Sequence, residues 1–332
     1  MARLAVRLAV ISNPRSQRNR QGALDGLKAV LAKHPNVRHE ELWDFDDLGA
    51  LIVNLIRSKV EVIAVNGGDG TVQAVLTELA RRSDNGHAPK LAVLSGGMTN
   101  VIAKDVGVDD QPAKALARLI KAMDAPEGAQ EVTRPLIGLV LDPEKPPVYG
   151  MFFGAAGFYQ AVKLANDKVR KRGVAGSMAS ASTLMLSLFR LLFGRSGSND
   201  PLYRGEPMAL GIDGDRRPET PYLLLIATTL DRLILGLMPF WGQDDSHVIS
   251  NGHAIRYTSI DFPPKRLARA LLPVLRGRPA RWMEGEGYRS GAASDMTIDI
   301  DSPVVLDGEI FHPAPGVPLR LTGDRTQTFL QC

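Results

Sequence analysis

With 332 residues, 44% of them hydrophobic, the chain is long enough for two ordinary domains with apolar cores. The formal net charge is only +4, and no array of basic residues interleaved with aromatic ones is present, which argues against a nucleic-acid partner. The single cysteine, Cys332, excludes a disulfide within the chain and favours a reducing compartment such as the cytoplasm.

The N-terminal segment is interpreted as a first β-strand, because Arg7 interrupts its apolar run and no small-residue cleavage site of a signal peptide follows. Strands and helices then alternate to about residue 125. Apolar strand segments precede helical patterns over 23–32, after the glycine turn at 67–70, and over 112–123. Three successive strand, loop and helix units predict an α/β domain with a parallel sheet over residues 1–130.

From about Val132 the pattern changes to short apolar runs separated by Gly, Pro and Asp, which is typical of a sandwich or barrel. These runs occupy residues 134–142, 148–157, 207–213, 221–230, 253–262, 295–302, 303–309 and 318–324. Helical stretches near 158–194 and 264–275 interrupt them. We therefore predict a mainly antiparallel β-sandwich domain with inserted helices over 131–305, and a segment, 306–332, that returns to the first domain.

Three loops follow the N-terminal strands, and each contains small or hydroxylated residues that let backbone N–H groups approach an anion. Because the carboxyl ends of parallel strands meet at one edge of a sheet, the loops are expected to converge. Their residues are Asn13, Pro14, Arg15 and Ser16; Asn66, Gly67, Gly68, Asp69, Gly70 and Thr71; and Gly96, Gly97, Met98, Thr99 and Asn100. One glycine turn could serve backbone angles alone, whereas three convergent loops favour a phosphate site.

Asp69 places a negative charge among the glycines of the second loop. Beside a triphosphate this carboxylate would be repelled, unless a cation lies between the two groups. We therefore expect Mg²⁺ or its bound water to bridge Asp69 and a nucleotide phosphate. The alternative is that Asp69 only caps the helix that follows it.

The run Gly67–Thr71 resembles the nucleotide-binding motif shared by diacylglycerol kinases, sphingosine and ceramide kinases and, more distantly, NAD kinases and phosphofructokinases. Asn13–Ser16 is similar to the Asn-Pro-x-Ser loop of the diacylglycerol kinase catalytic domain, and Leu306–Glu309 to that family's late Asp-Gly-Glu motif. The order and spacing of the three motifs fit the soluble bacterial lipid kinases along nearly the whole chain. The resemblance implies an ATP- and Mg²⁺-dependent kinase that phosphorylates a hydroxyl of diacylglycerol or of a ceramide or sphingoid lipid.

Several positions depart from the pattern of the family. The third loop has Met98 and Thr99 where the family has Thr followed by a variable residue, so the threonine and its neighbour are exchanged. Val101 replaces an aspartate that is frequent in bacterial diacylglycerol kinases, and Gln73-Ala74 stands in place of a glutamate. The loop 244–247 is a candidate for the family's structural Mg²⁺ loop, with Asp244 and Asp245 as its ligands.

The Asp-Gly-Glu stretch offers the carboxylates that phosphoryl transfer to an alcohol requires. On an extended segment, residues two apart face the same side, so Asp307 and Glu309 are expected to project together. We assign Asp307 as the general base and Glu309, together with Asp69, to one metal and water network. The alternative is a turn between two strands that carries solvated acids.

Two basic stretches indicate where a lipid acceptor would be met. Residues 163–195 contain seven Lys or Arg and one acid, and residues 263–282 contain six and no acid. Basic residues beside apolar helices suit the surface of an anionic membrane, where each charge contributes about 1 kcal/mol. This predicts peripheral contact with the inner membrane face; ordinary core helices with solvated ends are the alternative. No segment is a convincing span, the nearest being 175–194.

Two other functions remain open at this point. A soluble small-molecule kinase of the NAD kinase kind is disfavoured by the Asp-Gly-Glu motif and the basic apolar segments. A catalytically inactive lipid- or nucleotide-binding protein is compatible with the altered loop at 97–100. The sequence does not name the acyl acceptor, because apolar pockets discriminate weakly between chains, and it leaves both the preferred nucleoside and a homodimer undecided.

Overall fold

The computed structural model describes residues 7–83, 88–97, 100–108, 110–125, 128–171, 204–233, 236–242 and 255–332, with the backbone alone over 165–171. The chain divides into two compact units. Unit 1 comprises Met1–Arg134 and Thr326–Cys332, and unit 2 comprises Pro135–Arg325. Of the predicted returning segment 306–332, only the last residues belong to unit 1, and the Asp-Gly-Glu motif belongs to unit 2.

Unit 1 contains a parallel sheet with the strand order β2-β1-β3-β4. Its strands are β1 Leu8–Ser12, β2 Arg38–Glu41, β3 Val62–Gly67 and β4 Lys90–Ser95, and its helices are α1 Leu24–Leu31, α2 Leu48–Arg57, α3 Asp69–Arg82, α4 Val101–Val106 and α5 Pro112–Asp124. Strands β1 and β3 are buried throughout, as apolar strands covered on both faces must be. The predicted α/β domain with a parallel sheet is therefore confirmed.

The C-terminal end of the chain adds to this sheet. Phe329, fully buried, pairs in parallel with Leu91 of β4. Two glutamine side chains hold the same segment: Gln327 Nε2 donates to the carbonyl of Pro89, and Gln331 Nε2 to the carbonyl of Asp105. Residues far apart in sequence thus complete one sheet.

Unit 2 is mainly antiparallel. Its strands are β5 Gln130–Val140, β6 Val148–Gly150, β7 Phe152–Ala156, β8 Glu206–Ile212, β9 Asp215–Arg216, β10 Thr220–Thr228, β11 Ile255–Asp261, β12 Tyr288–Ala293, β13 Asp295–Asp299, β14 Val304–Leu306, β15 Glu309–Phe311 and β16 Leu319–Gln331, of which β5 begins and β16 ends in unit 1. Its helices are α6 Gly157–Lys171 and α7 Leu267–Leu275. The second domain, predicted as mainly antiparallel, is confirmed.

One apolar core of unit 2 draws on strands from both ends of its sequence. Phe153 of β7, Leu225 of β10 and Leu321 of β16 are each fully buried in it. Of the predicted helical stretch 158–194, residues up to Lys171 form α6, and the remainder lies outside the described residues. No helix within the described ranges combines the length and apolar character needed to cross a bilayer.

Candidate active site

The three loops meet at the carboxyl edge of the unit 1 sheet. The backbone N–H of Asn13 donates to the carbonyl of Asn66 at 2.9 Å, which joins the first loop to the second. The N–H of Gly96 donates to the carbonyl of Gly67 at 3.1 Å, and that of Arg18 to the carbonyl of Gly96 at 3.2 Å. The first two bonds join the second loop to each of the others, and the third bond joins the third loop to Arg18, two residues beyond the first loop, so the edge is a single cross-linked surface.

The first loop is organised by the buried side chain of Asn13. Its Oδ1 accepts from the N–H of Arg15 at 2.8 Å, which closes a turn, while its Nδ2 donates to Thr71 Oγ1 at 2.9 Å. The carbonyl of Asn13 accepts from both the N–H and the hydroxyl of Ser16. Pro14 is buried, whereas Arg15 is exposed and forms no ion pair with any described carboxylate. Arg15 is therefore the cation of this loop available to an anionic ligand.

The glycines of the second and third loops allow the two backbones to touch. A Cβ on Gly97 would stand 2.4 Å from the Cα of Gly68, and one on Gly96 would stand 2.7 Å from Asn66 Oδ1. A Cβ on Gly67 would collide with the side chain of Thr71 at 2.5 Å. Glycine is required here by close approach and not by a left-handed backbone, since none of these glycines has a positive φ. Gly70 lies in the first turn of α3.

Asp69 caps a neighbouring helix and not its own. The N-cap of α3 is Gly68, and Asp69 is the first residue of that helix. Its carboxylate accepts from the backbone N–H of Val101 at 3.2 Å and of Ile102 at 3.3 Å, at the start of α4. The alternative interpretation was that Asp69 caps α3, the helix that follows it. The helix whose first N–H groups its carboxylate accepts is instead α4. The negative charge is offset by the positive end of a second helix.

Asn100 closes the third loop from its other side. It adopts a left-handed conformation with φ 48° and exchanges two hydrogen bonds of 2.9 Å with Gly97, one to its N–H and one to its carbonyl. This side chain fixes the backbone of Gly97 where it touches Gly68. The predicted residues Met98 and Thr99 lie outside the described residues.

Two polar side chains beneath the loops, His39 and Ser12, escaped the sequence interpretation. His39 Nε2 lies 3.0 Å from Ser12 Oγ, and Asn66 Nδ2 donates to the same hydroxyl at 3.2 Å. Ser12 Oγ accepts from Asn66, and the direction of its contact with His39 depends on the tautomer of the imidazole. Burial lowers the pKa of His39, which favours the neutral imidazole. The sequence feature that could have revealed this cluster is Ser12, a polar residue at the end of an otherwise apolar strand.

Asn19 also lies beneath the loops. Its Nδ2 donates to the carbonyls of Asn13 and Asn66, so one amide holds the first two loops together. Arg18 Nη1 donates to the carbonyl of Ser95 and extends this support to the third. Neither residue belongs to the motif that the sequence singled out, since both follow it by a few positions.

The Asp-Gly-Glu motif forms a hairpin turn in unit 2. Asp307 and Gly308 have φ values of 49° and 92°, and Leu306 of β14 pairs with Glu309 of β15. Two successive residues with positive φ between paired strands match a tight two-residue hairpin turn. The expectation of an extended segment, with Asp307 and Glu309 projecting together, is therefore wrong.

The two carboxylates of this turn have different surroundings. Asp307 is 7% exposed, and its oxygens accept from the backbone N–H groups of Met151 at 2.9 Å and Phe152 at 2.8 Å. Its own N–H donates to the carbonyl of Phe152. Glu309 is exposed to solvent. Asp307 thus fixes the turn to the start of β7, while Glu309 is the carboxylate open to a ligand.

Metal ligation stays a prediction. Within the described ranges, no group of three or more His, Cys, Asp or Glu side chains is arranged to hold an ion. Asp244 and Asp245 lie outside the described residues. Mg²⁺ in nucleotide sites needs only one or two protein carboxylates, because phosphate oxygens and water complete its shell. Asp69, at the edge formed by the loops, fits that requirement.

The fold has counterparts among solved structures. Over 98% of its length the chain is similar to the crystal structure of a putative diacylglycerol kinase from Bacillus anthracis str. Sterne, with a TM-score of 0.66 and 16% identity over 97% of that chain. Residues 7–126 match the diacylglycerol kinase catalytic domain family. The matched residues lie within unit 1, and the resemblance inferred from the three motifs is confirmed.

Curated relatives are similar to part of the chain. A probable lipid kinase YegS-like protein of Stenotrophomonas maltophilia (strain K279a) is 27% identical over 178 residues, which are 53% of this chain and 54% of the relative. One from Pseudomonas aeruginosa (strain UCBPP-PA14) is 27% identical over 193 residues, 57% of each chain. The chain thus spans about half the length of the curated relatives it matches.

Proposed function

We propose that the protein is a lipid kinase that uses ATP and Mg²⁺ to phosphorylate a hydroxyl of diacylglycerol or of a ceramide or sphingoid lipid. The observation that carries the proposal is the cross-linked edge of the unit 1 sheet, which lies within the matched residues 7–126. Phosphate groups are suited by an edge with glycine backbone contacts, a helix N-terminus and an arginine, Arg15, that has no carboxylate partner among the described residues. The names of the curated relatives favour a lipid acceptor.

In this proposal the nucleotide is held mainly by backbone groups. The first turn of α3 begins at Asp69 and directs backbone N–H groups toward the loops, although those of Thr71 and Val72 already donate to the carbonyl of Gly68. Arg15 contributes the positive charge. Mg²⁺, held by Asp69 when bound, would screen the charge on the transferring phosphoryl group. The hydrogen bonds from α4 keep the Asp69 carboxylate in one orientation.

Transfer needs a group that accepts the proton of the lipid hydroxyl as the new P–O bond forms and the bond to ADP breaks. The hairpin carboxylates are the proposed pair. Asp307 was assigned this role from the sequence, yet both its oxygens accept backbone N–H groups. The geometry favours Glu309 as the accepting group and Asp307 as the residue that positions the turn.

The test is a transfer assay with labelled ATP. Diacylglycerol, ceramide and sphingosine are offered in vesicles, and NAD is offered without vesicles. We expect label in at least one lipid product, abolished by Asp69→Ala. Label in NAD alone would replace the proposal with a soluble small-molecule kinase, and ATP binding without turnover on any acceptor would replace it with a binding protein.

A further inference from the structure

Helix α7, Leu267–Leu275, exposes a leucine at the centre of its outer face. Ala270 and Val274 are buried and form the inner face. On the opposite side, Leu272 has 52% of its surface exposed, although leucine is usually buried. At 3.6 residues per turn, Leu275 extends the apolar part of this outer face.

Arginines flank the exposed leucine. Arg269 and Arg276 lie three residues before and four residues after Leu272, so they share its face, and both are exposed. The surrounding segment adds three more exposed cations: Lys265, Arg278 and Arg281. None of these five cations forms an ion pair with a carboxylate in the described ranges. The outer face is therefore an apolar ridge with an unneutralised basic border.

The helix is anchored, so this face is a fixed surface. Arg266, at its N-cap, pairs with Glu286 at 3.4 Å and lies 5.5 Å from the ring centre of Trp282. Tyr288 Oη donates to the carbonyl of Lys265 at 2.6 Å. At the other end, the N–H of Met238 donates to the carbonyl of Leu275. Both ends of α7 are thus held while its outer side chains remain in solvent.

We propose that the outer face of α7, defined by Arg269, Leu272, Leu275 and Arg276, docks on an anionic lipid bilayer. A helix lying in the membrane interface buries its leucines below the head groups and keeps its arginines at the level of the lipid phosphates. Phosphates also neutralise the five cations that lack carboxylate partners among the described residues. The positive charge of the basic border therefore favours an anionic bilayer as the partner of this face.

Two other occupants fit less well. A second copy of the chain, paired through the same face by a two-fold axis, would bring two basic borders together. A nucleic acid would gain the cations, but the face offers a leucine where base stacking needs an aromatic ring. The proposal goes beyond the kinase function, since docking requires neither ATP nor a phosphate acceptor.

Sedimentation of the full chain with vesicles, without ATP, tests the proposal. Vesicles contain either phosphatidylcholine alone or 30% phosphatidylglycerol, on the order of the anionic content that gives a surface potential able to attract basic segments. We expect the parent to partition onto the anionic vesicles only. Arg269→Gln with Arg276→Gln is expected to weaken partitioning about 25-fold, since each arginine is worth about fivefold. Leu272→Ser is expected to weaken it roughly fivefold.

The matched control is Lys114→Gln with Lys121→Gln, which also removes two exposed cations seven residues apart, on α5. It should partition like the parent. The proposal is overturned if the α7 variant partitions as strongly as the parent, or if the control loses as much partitioning as the α7 variant. It is also overturned if the parent does not partition onto the vesicles. A concentration-dependent dimer abolished by Leu272→Ser, or binding of a DNA duplex lost with the arginines, would overturn it too. Transfer to a dispersed short-chain acceptor should be unchanged in the α7 variant, which separates this proposal from the kinase proposal.

Discussion

Gly97 lies so close to Gly68 that a side chain on Gly97 would separate the second and third loops: its Cβ would stand 2.4 Å from the Cα of Gly68. The obstacle is backbone, which cannot swing aside as a flexible side chain can. Gly97→Ala is therefore expected to cost about 1–3 kcal/mol of unfolding free energy, as overpacking does. It should also weaken ATP binding, measured by calorimetry.

A second glycine provides the control for this prediction. Gly26 lies in α1, and a Cβ there would meet Ala113 at 3.5 Å, an ordinary contact. Gly26→Ala should therefore stabilise the fold by about 0.5–1 kcal/mol and leave ATP binding unchanged. Urea unfolding curves of both variants give the comparison. Equal stability of Gly97→Ala and the parent would mean that the loops do not touch as described.

Asp69 is expected to influence both stability and transfer. Asp69→Ala removes the acceptor for the first N–H groups of α4 and should cost about 1 kcal/mol, the usual value of a helix cap. Asp69→Asn keeps an acceptor oxygen and should recover part of that loss while transfer stays low, because the amide is a poor Mg²⁺ ligand. If Asp69→Asn transfers phosphate at the parental rate, Asp69 is not a ligand of the Mg²⁺.

Asp307 should be the more damaging position of the hairpin for folding. Asp307→Ala leaves the buried N–H groups of Met151 and Phe152 without their acceptor, at about 1–3 kcal/mol for each unpaired group. Asp307→Asn can serve only one of them and should be intermediate. Thermal unfolding of the two variants measures these losses of stability. If Asp307→Ala is as stable as the parent, Asp307 does not position the turn.

Glu309 should show the opposite behaviour. Because its side chain is exposed, Glu309→Gln is expected to unfold at the parental temperature and yet to lose at least tenfold in transfer rate, as the removal of a general base commonly does. Glu144→Gln, at another exposed glutamate of unit 2, should lose nothing. If Asp307→Asn abolishes transfer while Glu309→Gln retains it, the sequence-based assignment of the base is correct.

The pH dependence of stability should report on His39. Burial lowers its pKa in the folded protein, opposed by Glu41 and Glu40 and assisted by Lys28. The unfolded chain therefore binds more protons near the unperturbed histidine pKa of about 6.5, so stability is retained above that pH and lost as pH falls below it. His39→Gln should flatten the decline in unfolding temperature between about pH 7.5 and 5.5. An identical decline in both proteins would contradict it.

The strand and helix order of the first unit was largely accessible from sequence, because β1, β3 and β4 are buried on both faces and carry uninterrupted apolar runs. Strand β2 was missed for the converse reason: its sequence, Arg-His-Glu-Glu, is polar, and it pairs with β1 alone at the end of the unit 1 strand order. The helix after it, Leu48–Arg57, was missed with it. Edge strands lack the signal that pattern analysis uses.

The residues of the site could be predicted from the sequence, but their contacts could not. Sequence spacing identified Asp69 and Asp307 as unusual carboxylates. It could not show that Asp69 serves α4, because that bond spans 32 positions, nor that Asp307 sits in a turn, because Asp-Gly suits both a hairpin and an extended catalytic strand. Partners of a side chain are set by tertiary structure, which spacing along the chain does not encode.

The parallel pairing of Phe329 with Leu91 has a consequence for biosynthesis. The sheet that carries the three loops lacks a buried strand until the ribosome has made and released residue 329, and the whole of unit 2 is translated in between. At about 5–20 residues per second, that interval is on the order of 10–40 s. The nascent unit 1 therefore has an open strand edge along β4 during that interval, and chaperones have that time in which to bind it.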